Sequence, residues 1–180
     1  MGQRGDELFD VVDEQDRIVR QALRRDVHAQ GWLHRAVHVL VFNQAGEVFL
    51  QKRSMKKDMS PGLWDSSCSG HLDAGEDYDA AAWRELQEEI GLRVEPVSTA
   101  GAGAPRLQRA FRLEACAETG QEFVWVYRVE SDGPFTLCAD EIERGEWVAP
   151  DELTRRIAAR PQDYCSAFRL IWSRLQAASG

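Results

Sequence analysis

The sequence predicts an α/β fold in a single domain, and three observations predict it. The chain has 180 residues, 43% of them hydrophobic, which is enough for one sizeable core and too few for two ordinary domains. Runs rich in β-branched and aromatic residues at 35–42, 47–52 and 123–130 are interspersed with segments of helical periodicity. No internal repeat, low-complexity tract or long linker divides the chain.

Each element has its own local reason. Residues 8–12 and 17–22 are short apolar-rich runs separated by Asp13-Glu14-Gln15-Asp16, a polar interval that suits a hairpin turn. An N-terminal hairpin extension over about residues 1–33 is therefore expected within one domain spanning 1–180. Asn43-Gln44-Ala45-Gly46 supplies the residues a tight reversal prefers, so 35–42 and 47–52 are expected to form a central hairpin. A basic loop, 53–62, leads through 63–69 to a glycine-bounded loop at 70–75 and a helix over about 77–90, which Gly91 is placed to stop. Further strands are expected at 94–99, 107–114, 123–130 and, more weakly, 142–148, with a loop at 101–105. Pro150-Asp151 opens a helix ending near Arg160, and Asp163 is expected to cap another in which Tyr164, Phe168, Ile171, Trp172 and Leu175 recur at helical spacing.

Charge narrows the function classes. A net charge of −8 and a pI near 5.1 argue against a grip on nucleic acid polymers or an anionic membrane, because both are held by basic surfaces. A small anionic substrate stays compatible, since a few cations reverse the field within one cleft. The four cysteines, Cys68, Cys116, Cys138 and Cys165, have neither CxxC spacing nor the density of a disulfide framework. With no apolar core of signal-peptide length in MGQRGDELFD and no membrane-length apolar run, the expected compartment is the cytoplasm.

The chemistry concentrates in GHLDAGEDYDAAAWRELQEEIGL, which starts at Gly70. At about 100° per residue, Glu85, Glu88 and Glu89 fall on one side of a helix, while Ala82, Leu86 and Ile90 form an apolar side. Like charges at these spacings cost a few tenths of a kcal/mol per pair unless cations offset them. Hard divalent ions, magnesium or manganese, take oxygen ligands and would do so.

That string is similar to the Nudix box, Gly-x5-Glu-x7-Arg-Glu-aliphatic-x-Glu-Glu-x-Gly-aliphatic, with no departure, so the chain resembles the Nudix hydrolases. The resemblance implies the Nudix fold, an α/β/α sandwich around a mixed sheet. It implies that the Gly70 carbonyl, Glu85, Glu88 and Glu89 are ligands of Mg2+ or Mn2+, and that Glu76 and Arg84 brace the loop and helix. The implied reaction is water attack on phosphorus, cleaving the pyrophosphate bond of a nucleoside diphosphate or a related diphosphate-linked small molecule. Glu122 and Glu141 are candidates, beside the box glutamates, to accept the water's proton.

The upstream segment QKRSMKKDMSPGLWDSSCSGH resembles the isopentenyl-diphosphate isomerase-like branch of the same superfamily. In that comparison Arg53 and Lys57 match cations that hold a diphosphate, and His34 and His71 match metal-binding histidines. His28 lies one position from a further expected ligand, and His38 matches no role. The isomerases' cysteine position is Ser69 here, with Cys68 one residue away and expected on the opposite strand face. Of the isomerases' two later acids, one position is Gly120 and only Glu122 survives. A delta-isomerase and a non-catalytic ligand sensor therefore stay open beside the hydrolase, and the N-terminal hairpin leaves a homodimer open.

Overall fold

The computed structural model describes residues 6–94 and 106–179. In chain order the elements begin with β1 (Leu8–Val12), β2 (Ile18–Leu23), α1 (Arg24–Gln30), β3 (His34–Phe42), β4 (Val48–Arg53), β5 (Trp64–Asp65) and β6 (Cys68–His71). There follow α2 (Tyr78–Ile90), β7 (Gln108–Leu113), β8 (Glu122–Glu130), β9 (Ile142–Val148), α3 (Pro150–Ala159), a 3-10 turn (Pro161–Asp163) and α4 (Ser166–Ser179). The expected strand at 94–99 and loop at 101–105 lie outside the described residues, apart from Val94, which is in neither strand nor helix.

Strand β3 is the axis of the molecule. It pairs with β8 in parallel from His34↔Glu122 to Phe42↔Glu130, and on its other edge with β6, antiparallel, from Ala36↔His71 to Val39↔Cys68. All but one of its nine residues are buried, as expected of a strand covered on both faces. The alternation sorts them: Val37, Val39 and Val41 pack with Ala81, Ala82, Leu86 and Ile90 of α2. Ala36, Leu40 and Phe42 pack with Leu153 of α3 and Phe168, Ile171 and Trp172 of α4. The result is an α/β/α sandwich around a mixed sheet.

The hairpin between β3 and β4 pairs only at Phe42↔Val48 before the strands part. Ser67 fills the opening: its hydroxyl accepts from the Val41 N–H at 2.7 Å and donates to the Phe49 carbonyl at 2.5 Å. Segment 63–69 thus becomes two short strands, β5 on β4 and β6 on β3, rather than one.

Two further differences from the sequence reading have local causes. Residues 24–30 form α1, within what was expected to be a hairpin extension, and Gly31 ends it with φ 62°. Asp163 lies in the 3-10 turn, Tyr164 is extended and bridges to Trp64, and α4 starts only at Ser166. The apolar series beyond still packs as expected, with Phe168, Ile171 and Trp172 buried. Among the described residues no helix is long and apolar enough to cross a membrane.

Candidate active site

Helix α2 is capped by Asp77, whose side chain accepts from the Ala80 N–H, and ends at Gly91 with φ 69°, a left-handed conformation that favours glycine. Its apolar stripe is fully buried, each Leu or Ile side chain contributing about 1.5–3 kcal/mol, and this docking turns Glu85 and Glu89 inward beneath β6. Gly70 is required there by close approach: a Cβ on it would sit 2.0 Å from Glu85 Oε1.

Glu85 accepts from Arg84 Nη1 at 2.6 Å, and Glu89 Oε2 accepts from Gln51 Nε2 at 2.9 Å and the Ser69 N–H at 3.2 Å. Those bonds do not offset the loss of water. Burial, then the neighbouring Glu89 charge, pushes Glu85 up to about 8, and burial pushes Glu89 up to about 7 against the pull of Lys57. Glu88 is exposed, 3.7 Å from Arg84. Arg84 joins loop to helix: it donates to both oxygens of Glu76 at 2.9 and 2.8 Å and to the His71 carbonyl at 2.9 Å.

Arg53 and Lys57, matched by resemblance to diphosphate-holding cations, are both buried beside carboxylates. Arg53 donates to Asp65 at 3.1 Å and to the Met59 carbonyl. Lys57 donates to Glu141 Oε2, while Glu141 Oε1 is buried with no hydrogen-bond partner. Glu141 is near enough to Glu89 for its charge to help raise the Glu89 pKa. Glu122, the other candidate base, sits elsewhere, at the start of β8.

There Glu122 meets a cluster of histidines. Its Oε1 lies 2.9 Å from His71 Nε2 and 3.4 Å from His34 Nε2. His28 on α1 completes the group, with one ligand atom from each of the three rings inside 4.8 Å of the others. The one-position slip in sequence does not keep His28 away, because α1 carries it over. Phe9 stacks on His34 and His71, with ring centroids 5.8 and 4.9 Å away. Burial, then His34, holds His28 below its ordinary value, and burial pushes His71 down to about 3 against Glu122, so these rings are neutral. Although burial opposes it, His71 and then His34 hold the Glu122 carboxyl well below the usual carboxylate range.

A cleft on the face of the sheet opposite α2 is lined by His28, His38, Ser69, His71 and Glu122, with Met59 beside it. The strand offset is decided here: Ser69 lines this cleft, whereas Cys68 points to the α2 side, fully buried among core side chains, with burial raising its thiol pKa well above the ordinary value. His38 hydrogen-bonds Ser66 Oγ at 2.8 Å. The sequence reading did not single out Arg24, Gln51, Asp58 or Asp65. Arg24 and His28 are four apart, one face of a helix, but nothing else in residues 24–30 marks a helix.

A sheet between two helical layers, with one helix aiming carboxylates at a glycine-bearing strand, defines the class: an α/β/α sandwich with an acidic helix packed on its central sheet. The NUDIX domain family model matches residues 32–168, and the chain belongs to that family. It is 34% identical over 168 residues to an uncharacterized Nudix hydrolase of Yersinia pestis, covering 93% of this chain and 87% of that one. It is 32% identical to an isopentenyl-diphosphate delta-isomerase of Pectobacterium atrosepticum, covering 92% of this chain and 89% of that one. The crystal structure of DR0079 from Deinococcus radiodurans superposes with a TM-score of 0.73 at 30% identity, over 85% of this chain and 90% of that one.

Proposed function

We propose that this Nudix hydrolase cleaves the pyrophosphate bond of a nucleoside diphosphate or a related diphosphate-linked small molecule, with Mg2+ or Mn2+ bound at the acidic helix. The observation that carries the reading is the pair Glu85 and Glu89, buried against Gly70 with their negative charge under-compensated. Buried carboxylates that bind protons near neutrality are sites where a divalent cation fits. Glu85, Glu88, Glu89 and the Gly70 carbonyl would hold the ion, which when bound supplies charge neutralisation for the phosphates and a more acidic water.

The chain's own residues do the rest. Arg84 fixes Glu85, while Gln51 and the Ser69 N–H fix Glu89, so the carboxylates are oriented before substrate arrives. Lys57 anchors one oxygen of Glu141 and leaves the other to accept a proton from water. Arg53 and Lys57 keep positive charge beside the site, where it favours a diphosphate.

One observation favours a second reading: the gathered His28, His34 and His71 beside Glu122 suit the isomerase, as does the similarity to the Pectobacterium enzyme. Against it, proton transfer to and from carbon needs a group facing the substrate, and Ser69 and Gly120 stand in the expected positions while Cys68 faces the core. The experiment is a phosphate-release screen of purified protein with Mg2+ or Mn2+ against nucleoside di- and triphosphates, sugar nucleotides, dinucleotide cofactors and prenyl diphosphates. Hydrolysis that stops on exhaustive chelation is expected. Isomerisation of isopentenyl diphosphate without hydrolysis of any substrate would replace the proposal with the second reading.

A further inference from the structure

One side chain joins the histidine cluster to the basic loop. Arg24, 1% exposed, donates through Nη2 to both oxygens of Asp58 at 3.1 and 3.0 Å, in the loop between β4 and β5. Its Nη1 lies 3.3 Å from His71 Nδ1 and 3.4 Å from Glu7 Oε2. A guanidinium only donates, so His71 Nδ1 accepts, and the single proton of this neutral ring is on Nε2, 2.9 Å from Glu122 Oε1. His34 turns its Nδ1 to the Trp32 carbonyl at 2.9 Å, and its Nε2, 3.4 Å from Glu122 Oε1, is buried without a hydrogen bond. His28 Nε2 is likewise buried without a hydrogen bond.

The donor set fits the metal that the isomerase-like resemblance implies, since two of the three rings present unengaged nitrogens and a carboxylate stands beside them. The third ring does not yet present one. For His71 to ligate through Nε2, its proton must move to Nδ1, where it would face the Arg24 N–H. Two donors would then meet, with a guanidinium cation beside a divalent one. The guanidinium is a rigid planar fork, so Nη1 cannot withdraw from His71 without disturbing the bidentate pair that Nη2 makes with Asp58.

We propose that Arg24 and a divalent cation are alternative occupants of the His28–His34–His71 cluster, so that filling the cluster detaches Arg24 from His71 and loosens the basic loop tied through Asp58. The proposal rests on those histidines taking a metal; it is independent of the ion at the acidic helix.

The test titrates the full chain with Co2+, followed by visible absorption, in a large excess of Mg2+ that occupies the carboxylates. In Arg24→Gln, Co2+ is expected to bind about tenfold more tightly than in wild type, the scale on which groups behind metal ligands act. In His34→Gln the same absorption is expected to vanish. In wild type, saturating Co2+ is expected to speed amide hydrogen exchange across residues 54–62, and in Arg24→Gln that exchange is already fast and does not respond. Equal or weaker Co2+ binding by folded Arg24→Gln, with the His34-dependent absorption present in wild type, overturns the competition alone. Absence of that absorption in every variant overturns the metal reading of the histidines and the proposal with it. Should Arg24→Gln not fold, Asp58→Asn keeps Arg24 and removes its tether charge. Tighter Co2+ binding by that variant supports the proposal, and unchanged binding overturns it.

Discussion

The acidic helix and the histidine cluster sit on opposite sides of β6, and they are built by opposite means. The helix takes its carboxylates from one contiguous stretch, Glu85 to Glu89, of which packing buries Glu85 and Glu89 and leaves Glu88 exposed. The cluster takes His28 from α1, His34 from β3, His71 from β6 and Glu122 from β8, and only the sheet register brings them together. Their electrostatics differ in the same sense. Burial leaves the helix short of positive charge, whereas in the cluster Glu122 is held ionised beside His71 and His34, with the Arg24 guanidinium against His71. The lesson is that a site written in one segment is poised for an added cation, while a site assembled from four segments carries an internal one.

The sharpest way to break this contrast is at Glu89. We expect Glu89→Gln to lower phosphate release by at least about a hundredfold with the fold intact, since it removes a preorganised charged ligand and leaves a side chain that Gln51 and Ser69 can still hold. Unchanged turnover with normal circular dichroism would make the acidic helix a relic. Arg53→Ala tests whether the basic loop serves structure before substrate. It strands Asp65 in the interior and is expected to cost about 3–5 kcal/mol in urea unfolding. A loss below about 1 kcal/mol, with weakened substrate binding, would return Arg53 to a purely ligand-facing role.

A gentler perturbation is pH. Glu85 and Glu89 bind protons in the folded chain up to about 8 and about 7, well above the ordinary 4.5, so between these values the folded state holds protons that the unfolded state has lost. The contribution of this pair to metal-free stability should therefore be fully present below about pH 4.5, be lost as pH rises through 7 and 8, and be recovered at pH 8 when Mg2+ is restored. Differential scanning calorimetry with and without chelator reads this directly. A metal-free melting temperature that climbs over that interval would show the carboxylates to be compensated without an ion. The smallest effect is expected at Cys68→Ala. The thiol faces the α2 core, so stability should fall by about 1 kcal/mol while hydrolysis stays within about twofold of wild type. Loss of activity in a folded variant would put the thiol back into the chemistry.

The sequence by itself determined the parts whose geometry is local. A helix from Tyr78 to Ile90 ended by Gly91 follows from spacing and capping, and the mixed α/β order follows from strands and helices alternating along the chain, but spacing put Glu85, Glu88 and Glu89 together on the side away from the core, whereas the packed fold buries Glu85 and Glu89 and leaves only Glu88 exposed. That Cys68 and Ser69 face opposite ways was equally legible, because strand side chains alternate. Tertiary structure decided what depends on residues far apart in the chain. Spacing could not say that Lys57 would be paired with Glu141, 84 residues away, or that Arg53 would be committed to Asp65 across a hairpin. Nor could it place Arg24, on a short helix without a sequence signature, against His71 and Asp58. The physical reason is the same in each case: local periodicity fixes which way a side chain points, but a buried charge chooses its partner from whatever the packed sheet brings within reach.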